Sequence, residues 1–193
     1  MPARAYLTQA DNSYYYSSKY NYKPAGCKTG ARSMFSLGSK EPVVATAKIV
    51  IDCSPEHVFS YLGEGFFENY PKWSPEVVEL EPVTSGPLRL GTIARQVRID
   101  QGRRTETKFK INEYEPNKRL GFAGVADPFR CSYEIRCIDS GKSSELTFTF
   151  ELLEIQMFMR PFEKLIRVVV QEGAQRTVRN LKRLTEAKKH AAG

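Results

Sequence analysis

The sequence predicts an α+β domain in which a curved antiparallel sheet of about seven strands is wrapped on one long C-terminal helix. Three observations carry this prediction. Six β-like runs follow one another between Glu76 and Leu153, with turn residues between them. One helical stripe then occupies the chain from about Met157 to Lys188. Between the first β-like run and the other six lies a stretch that reads as two short helices. A sheet with one apolar face and a helix with one apolar stripe bury each other compactly when the helix covers the concave face.

The first strand is "VVATAKIVIDC", and "SPEHVFSYL" after it marks a helix start. Ser54 can cap, Pro55 suits the first helical position, and His57 stands where a glutamate would complete a capping box. A second short helix is expected over Glu64 to Asn69, with Pro71 stopping it. The six runs are "EVVELEPV", "TIARQVRI", "TETKFKINEYE", "LGFAGVA", "FRCSYEIRCI" and "ELTFTFELL", separated by segments such as "TSGPLRLG", "PNKR" and "DSGKSS". Alternation is cleanest in the last two. Phe129, Cys131, Tyr133, Ile135 and Cys137 share one face, and Leu146, Phe148, Phe150 and Leu152 share another, which suits strands with one buried and one wet side. The terminal stripe runs through Phe162, Ile166, Val169, Val170, Gly173, Thr177, Leu181 and Leu184. About 30 residues at ~1.5 Å each make a rod near 45 Å, enough to cross a whole sheet.

Residues 1–40 have a different texture and are expected to be an extended or disordered basic tail preceding a domain over 41–193. They hold six of the ten tyrosines, with no helical or alternating apolar pattern. Arg4, Lys19, Lys23, Lys28, Arg32 and Lys40 against Asp11 give them most of the net charge of +7. The remainder is nearly balanced, so nucleic acid is not expected as a partner of the domain. For the tyrosine- and lysine-rich tail, stacking on bases and docking along the acidic surface of a larger protein assembly are both physically available.

No apolar run approaches the ~20 residues of a membrane span. Cys27, Cys53, Cys131 and Cys137 show no metal-ligand spacing, and Cys131 and Cys137 would lie about 20 Å apart along one strand, too far for a disulfide. Reduced thiols point to a cytoplasmic setting, with an organelle such as the mitochondrion as the alternative because the tail is poor in acidic residues. Nucleophile motifs, phosphate-binding loops and metal clusters are missing from the sequence, so no cofactor or metal is expected.

The segments "SPEHVFSYL", "ENYPKWSPEVVELE", "GPLRLGT", "EYEPNKRLGF" and "PFRCSYEI", in this order and followed by the terminal helix, resemble the START-like helix-grip superfamily (SRPBCC), in its polyketide cyclase/dehydrase and lipid-transport branch. The resemblance runs from about Val43 to Ala187. It implies a hydrophobic cavity between sheet and helix that binds an apolar or amphipathic small molecule. It brings no single catalytic signature to carry over, because such families hold lipid carriers, aromatic-polyketide cyclases and coenzyme-Q-binding proteins alike.

Alternation nominates the ligand-contacting residues: Phe109, Phe122, Tyr133, Phe148 and Phe150 from the sheet, with Phe162, Ile166 and Val169 from the helix. Ile111 and Ile135 share their faces. Arg95 falls in phase with Ile93, Val97 and Ile99, which would put a cation on the inner face able to meet a ligand carboxylate. Tyr133 would add an inward hydroxyl. Glu113 is in the inward phase but near a strand end. Trp73, in "FFENYPKWSPEV", reads as a latch pinning the short helices to the sheet edge. With little that titrates facing inward, the leading expectation is a non-catalytic binding module. The alternatives are an accessory subunit anchored by its N-terminal tail and a polyketide cyclase/dehydrase-like enzyme.

Overall fold

The computed structural model describes residues 41–191, and the expectations for the 1–40 tail and its partner lie outside them. Strand β1 (Val43–Ile51) leads into α1 (Pro55–Phe59), a π-helical turn at Ser60–Glu64, and α2 (Phe66–Trp73). Six strands follow: β2 (Val77–Pro82), β3 (Ile93–Asp100), β4 (Arg103–Glu115), β5 (Arg119–Gly124), β6 (Phe129–Ile138) and β7 (Ser143–Leu152). A 3₁₀ turn at Met157–Phe162 opens the long helix α3 (Glu163–Ala191). All seven strands pair antiparallel in the order β1-β7-β6-β5-β4-β3-β2, so β1 returns to close beside the last strand. This is the helix-grip arrangement that the sequence predicts.

Local chemistry accounts for the first helix. The Ser54 hydroxyl accepts from the backbone N–H of His57 at 3.3 Å, and Pro55 holds the first helical position. The second helix departs from expectation, beginning at Phe66 and passing through Pro71 to Trp73. A proline inside a helix gives up one backbone hydrogen bond. Tyr70 and Trp73, one helical turn apart, are both buried, and that burial keeps the last turn helical across Pro71.

Helix α3 is stitched to the free edge of β1. Gln171 Nε2 donates to the Thr46 carbonyl at 2.9 Å, Lys182 Nζ to that of Val50 at 2.8 Å, and Lys189 Nζ to that of Asp52 at 2.6 Å. These bonds occupy carbonyls that an edge strand would otherwise present to another chain. At the far side Asn180 Nδ2 donates to the Trp73 carbonyl at 3.0 Å, tying α3 to the end of α2. Trp73 is 1% exposed, with its ring against Tyr61, Phe66, Tyr70 and Tyr133. It joins the short helices to both the sheet and α3.

Candidate ligand-binding site

The concave face of the sheet is filled at one end and hollow at the other. At the filled end the aromatic side chains of α2 reach the middle strands: Phe66 stacks on Tyr70 at 4.9 Å between ring centroids, and Phe109 meets Phe122 at 4.6 Å. Phe66 also packs edge-on against both Phe109 and Phe122. Toward β6, β7 and the N-terminal half of α3 the packing opens into a cavity of about 730 Å³. Its apolar walls include Phe148, Phe150, Ile166, Val169 and Val170. Its buried floor carries Tyr70, Gln96, Cys131 and Tyr133, and exposed Pro128, Gln156 and Met159 lie on its rim.

The nominated aromatic and aliphatic residues therefore fall into three groups. Tyr133, Phe148, Phe150, Ile166 and Val169 line the cavity. Phe109 and Phe122 face the same side of the sheet but belong to the solid aromatic packing, because α2 fills the space above them. Phe162 lies off the cavity and is 54% exposed, because the chain is still in the 3₁₀ turn there and its periodicity is not yet that of α3.

Arg95 requires a correction. It lies on the convex face, where Nε and Nη2 each donate to Glu106 at 2.8 Å and Nη1 reaches Glu79 at 3.1 Å and Glu81 at 3.5 Å. The physical reason is register. Residues directly opposite in an antiparallel pair share a face, and β4 pairs Ala94 with Phe109, Gln96 with Thr107 and Arg98 with Thr105. Since Phe109 is inward, Ala94, Gln96 and Arg98 are inward, and Ile99 is left 42% exposed. Glu113 is displaced similarly: the β4–β5 register shifts between Ile111 and Glu113, and Tyr114 rather than Glu113 packs inward, edge-on to Phe59.

The inward residues of β3 bring polar chemistry to the cavity. Arg98 makes two bonds to Asp100, at 3.1 and 3.2 Å, and its Nη1 donates to Ser74 Oγ at 3.3 Å. Glu76 is paired with Arg176 of α3 and takes a 3.4 Å hydrogen bond from Ser74. Burial opposes the Arg98 charge, but Tyr70, Asp100 and Glu76 outweigh it and raise its pKa. Trp73 Nε1 donates to the Tyr133 hydroxyl at 3.3 Å. Burial also raises the pKa values of Tyr70 and Tyr133, and the Arg98 charge beside them offsets only part of that effect. The Cys131 thiol is pushed up to about 12, again by burial first.

With this geometry in hand, residues 42–186 match the family described as "Polyketide cyclase / dehydrase and lipid transport". The chain belongs to that family. Solved structures agree at the level of the fold. The Zhui aromatase/cyclase from Streptomyces sp. R1128 is 11% identical, with a TM-score of 0.67 over 79% of this chain and 99% of that one. A START superfamily protein from Mycobacterium smegmatis is 16% identical, with a TM-score of 0.61 over 75% and 97%. A protein from Thermus thermophilus is 20% identical, with a TM-score of 0.59 over 75% and 98%. No curated protein matches the chain. Among the described residues of this family member, no helix is long and apolar enough to cross a membrane.

The thiols give a direct check on the site. Cys53 and Cys131 are buried with raised pKa values, whereas Cys137 is exposed. Since the thiolate is the reactive form, a maleimide at about pH 8 should label Cys137 well before Cys53 or Cys131. Peptide mass spectrometry resolves the three. Early labelling of Cys131 would mean that the floor of the cavity is open to solvent.

Proposed function

We propose that this protein is a non-catalytic binding module that holds an apolar or amphipathic small molecule between its sheet and α3. The observation carrying this reading is the cavity of about 730 Å³ beneath α3, walled by Phe148, Phe150, Ile166 and Val170 and left unfilled by the described side chains. Ligand sites are typically concave spaces of ~300–1,000 Å³ with mostly apolar walls and a few placed polar groups. The titratable groups on the floor also suit holding better than proton transfer. General acid–base catalysis works best with a pKa near the operating pH, and burial moves Tyr70, Tyr133 and Cys131 away from neutrality.

Native mass spectrometry of gently purified protein tests the proposal. The expected spectrum shows a bound adduct that extraction with organic solvent removes, and the stripped protein takes up added amphiphiles. Protein that arrives without an adduct and accepts no amphiphile would overturn it.

A further inference from the structure

Deep in the cavity floor, Gln96 is only 2% exposed and lies on the inward face of β3. Its Nε2 donates to Thr107 Oγ1 at 3.1 Å. Its other amide atom, Oε1, is buried and receives no hydrogen bond from any described residue. Both Gln96 and Thr107 line the cavity. A buried amide oxygen without a partner loses its hydration and gains nothing in return, a cost that native interiors rarely tolerate. We infer that Gln96 and Thr107 form the polar end of the ligand site and select a neutral amphiphile whose head is a hydroxyl group.

This inference rests on the cavity being a ligand site and adds the chemistry of the head group. Thr107 Oγ1 accepts from Gln96, so its own hydroxyl proton is free to donate. The pair then offers one acceptor, Gln96 Oε1, and one donor, the Thr107 hydroxyl. A ligand hydroxyl satisfies both once the Gln96 side chain turns its amide toward the cavity, donating to the first and accepting from the second. Turning the amide end for end preserves this match, since the pair would then offer the Gln96 amino group as donor and Thr107 Oγ1 as acceptor. An ether satisfies only one of the two, and an alkyl chain neither.

A carboxylate fits less well. It has no proton to donate, so it leaves the acceptor of the pair unsatisfied in either amide orientation, and the cationic side chains of the described lining already have acidic partners, Arg98 with Asp100 and Arg176 with Glu76. An anionic head would therefore enter beside paired carboxylates and find no uncommitted cation among the described lining residues in exchange. The apolar remainder of the ligand lies against Phe148, Phe150 and Ile166, the part of the site that the proposed function already assigns.

The fluorescence of Trp73, the one tryptophan in the chain, reports on this site through its hydrogen bond to Tyr133. Titration of the stripped protein with 1-decanol, 1-methoxydecane and decanoate, at about pH 8 so that the acid is ionised, separates the possibilities. The expected order is decanol tightest, with the ether and the carboxylate each weaker by roughly tenfold. Gln96→Leu should lower the affinity for decanol by about tenfold while leaving that for the ether within roughly twofold. Thr107→Val, a smaller change on a half-buried residue, should also reduce the preference for decanol over the ether. Decanoate binding as tightly as decanol, or selectivity unchanged in both variants, would overturn the hydroxyl assignment while leaving the binding-module reading intact. Binding of none of the three would overturn both.

Discussion

Gly173→Phe should abolish most ligand binding without lowering the melting temperature. Gly173 lies in the middle of α3 and lines the cavity, and a Cβ placed on it meets nothing within 4 Å. A glycine in a helix interior costs about 1 kcal/mol relative to alanine, so something must be gained by keeping that face bare. Here the gain is open space above the cavity floor. Gly173→Ala should raise stability by about 0.5–1 kcal/mol in urea or thermal unfolding. The phenylalanine keeps part of that gain but puts a ring into the cavity. Sharing a packed space with an added group costs about 1–3 kcal/mol, so affinity for an amphiphile should drop by roughly 10- to 100-fold. Calorimetric titration of both variants beside the parent measures this. Wild-type affinity in Gly173→Phe would mean that the ligand sits elsewhere.

Trp73→Ala should produce the opposite pattern, a large loss of stability that precedes any specific loss of binding. The ring is buried among Tyr61, Phe66, Tyr70 and Tyr133, its N–H bonds the Tyr133 hydroxyl, and its carbonyl takes the hydrogen bond from Asn180. Removing a buried tryptophan side chain costs about 3–5 kcal/mol, and each kcal/mol lowers the melting temperature by roughly 2–4 °C in a domain of this size. The expected fall is therefore on the order of 10 °C or more. Trp73→Phe keeps the ring contacts and leaves the Tyr133 hydroxyl without its donor, so it should cost about 1–2 kcal/mol. A Trp73→Ala protein that keeps its melting temperature yet loses its ligand would turn the latch into a binding residue.

These two residues also show how far the sequence could be read. Trp73 was legible as a corner between helices and sheet because it stands between two prolines and ahead of six consecutive strands. Gly173 was legible as part of the α3 stripe. Its role in leaving space was not, because a glycine in an apolar stripe looks the same whether it faces a close-packed strand or a void. The strands divide likewise. In β6 and β7 one face is aromatic and aliphatic and the other is polar or charged, so Tyr133, Phe148 and Phe150 could be assigned inward from alternation alone. In β3 the alternation misleads, with apolar Ile93, Val97 and Ile99 beside Arg95 on one face and only Ala94 apolar on the other, beside Gln96, Arg98 and Asp100. Counting apolar residues there chose the wrong face.

The sequence by itself determined the order of elements, the antiparallel sheet gripped by one helix, and the apolar character of the surface that helix covers. Those properties follow from periodicities of two and of about three and a half residues, which each segment carries within itself. Tertiary structure alone decided which aromatics pack solidly and which border a void, since that depends on how far α2 reaches across the sheet. It also decided that Gln96 and Arg98, rather than Arg95, face the cavity. The inward phase of β3 is fixed by its pairing with Phe109 and Thr107 of β4, and a hydrogen-bond register between two strands is a property of neither strand alone.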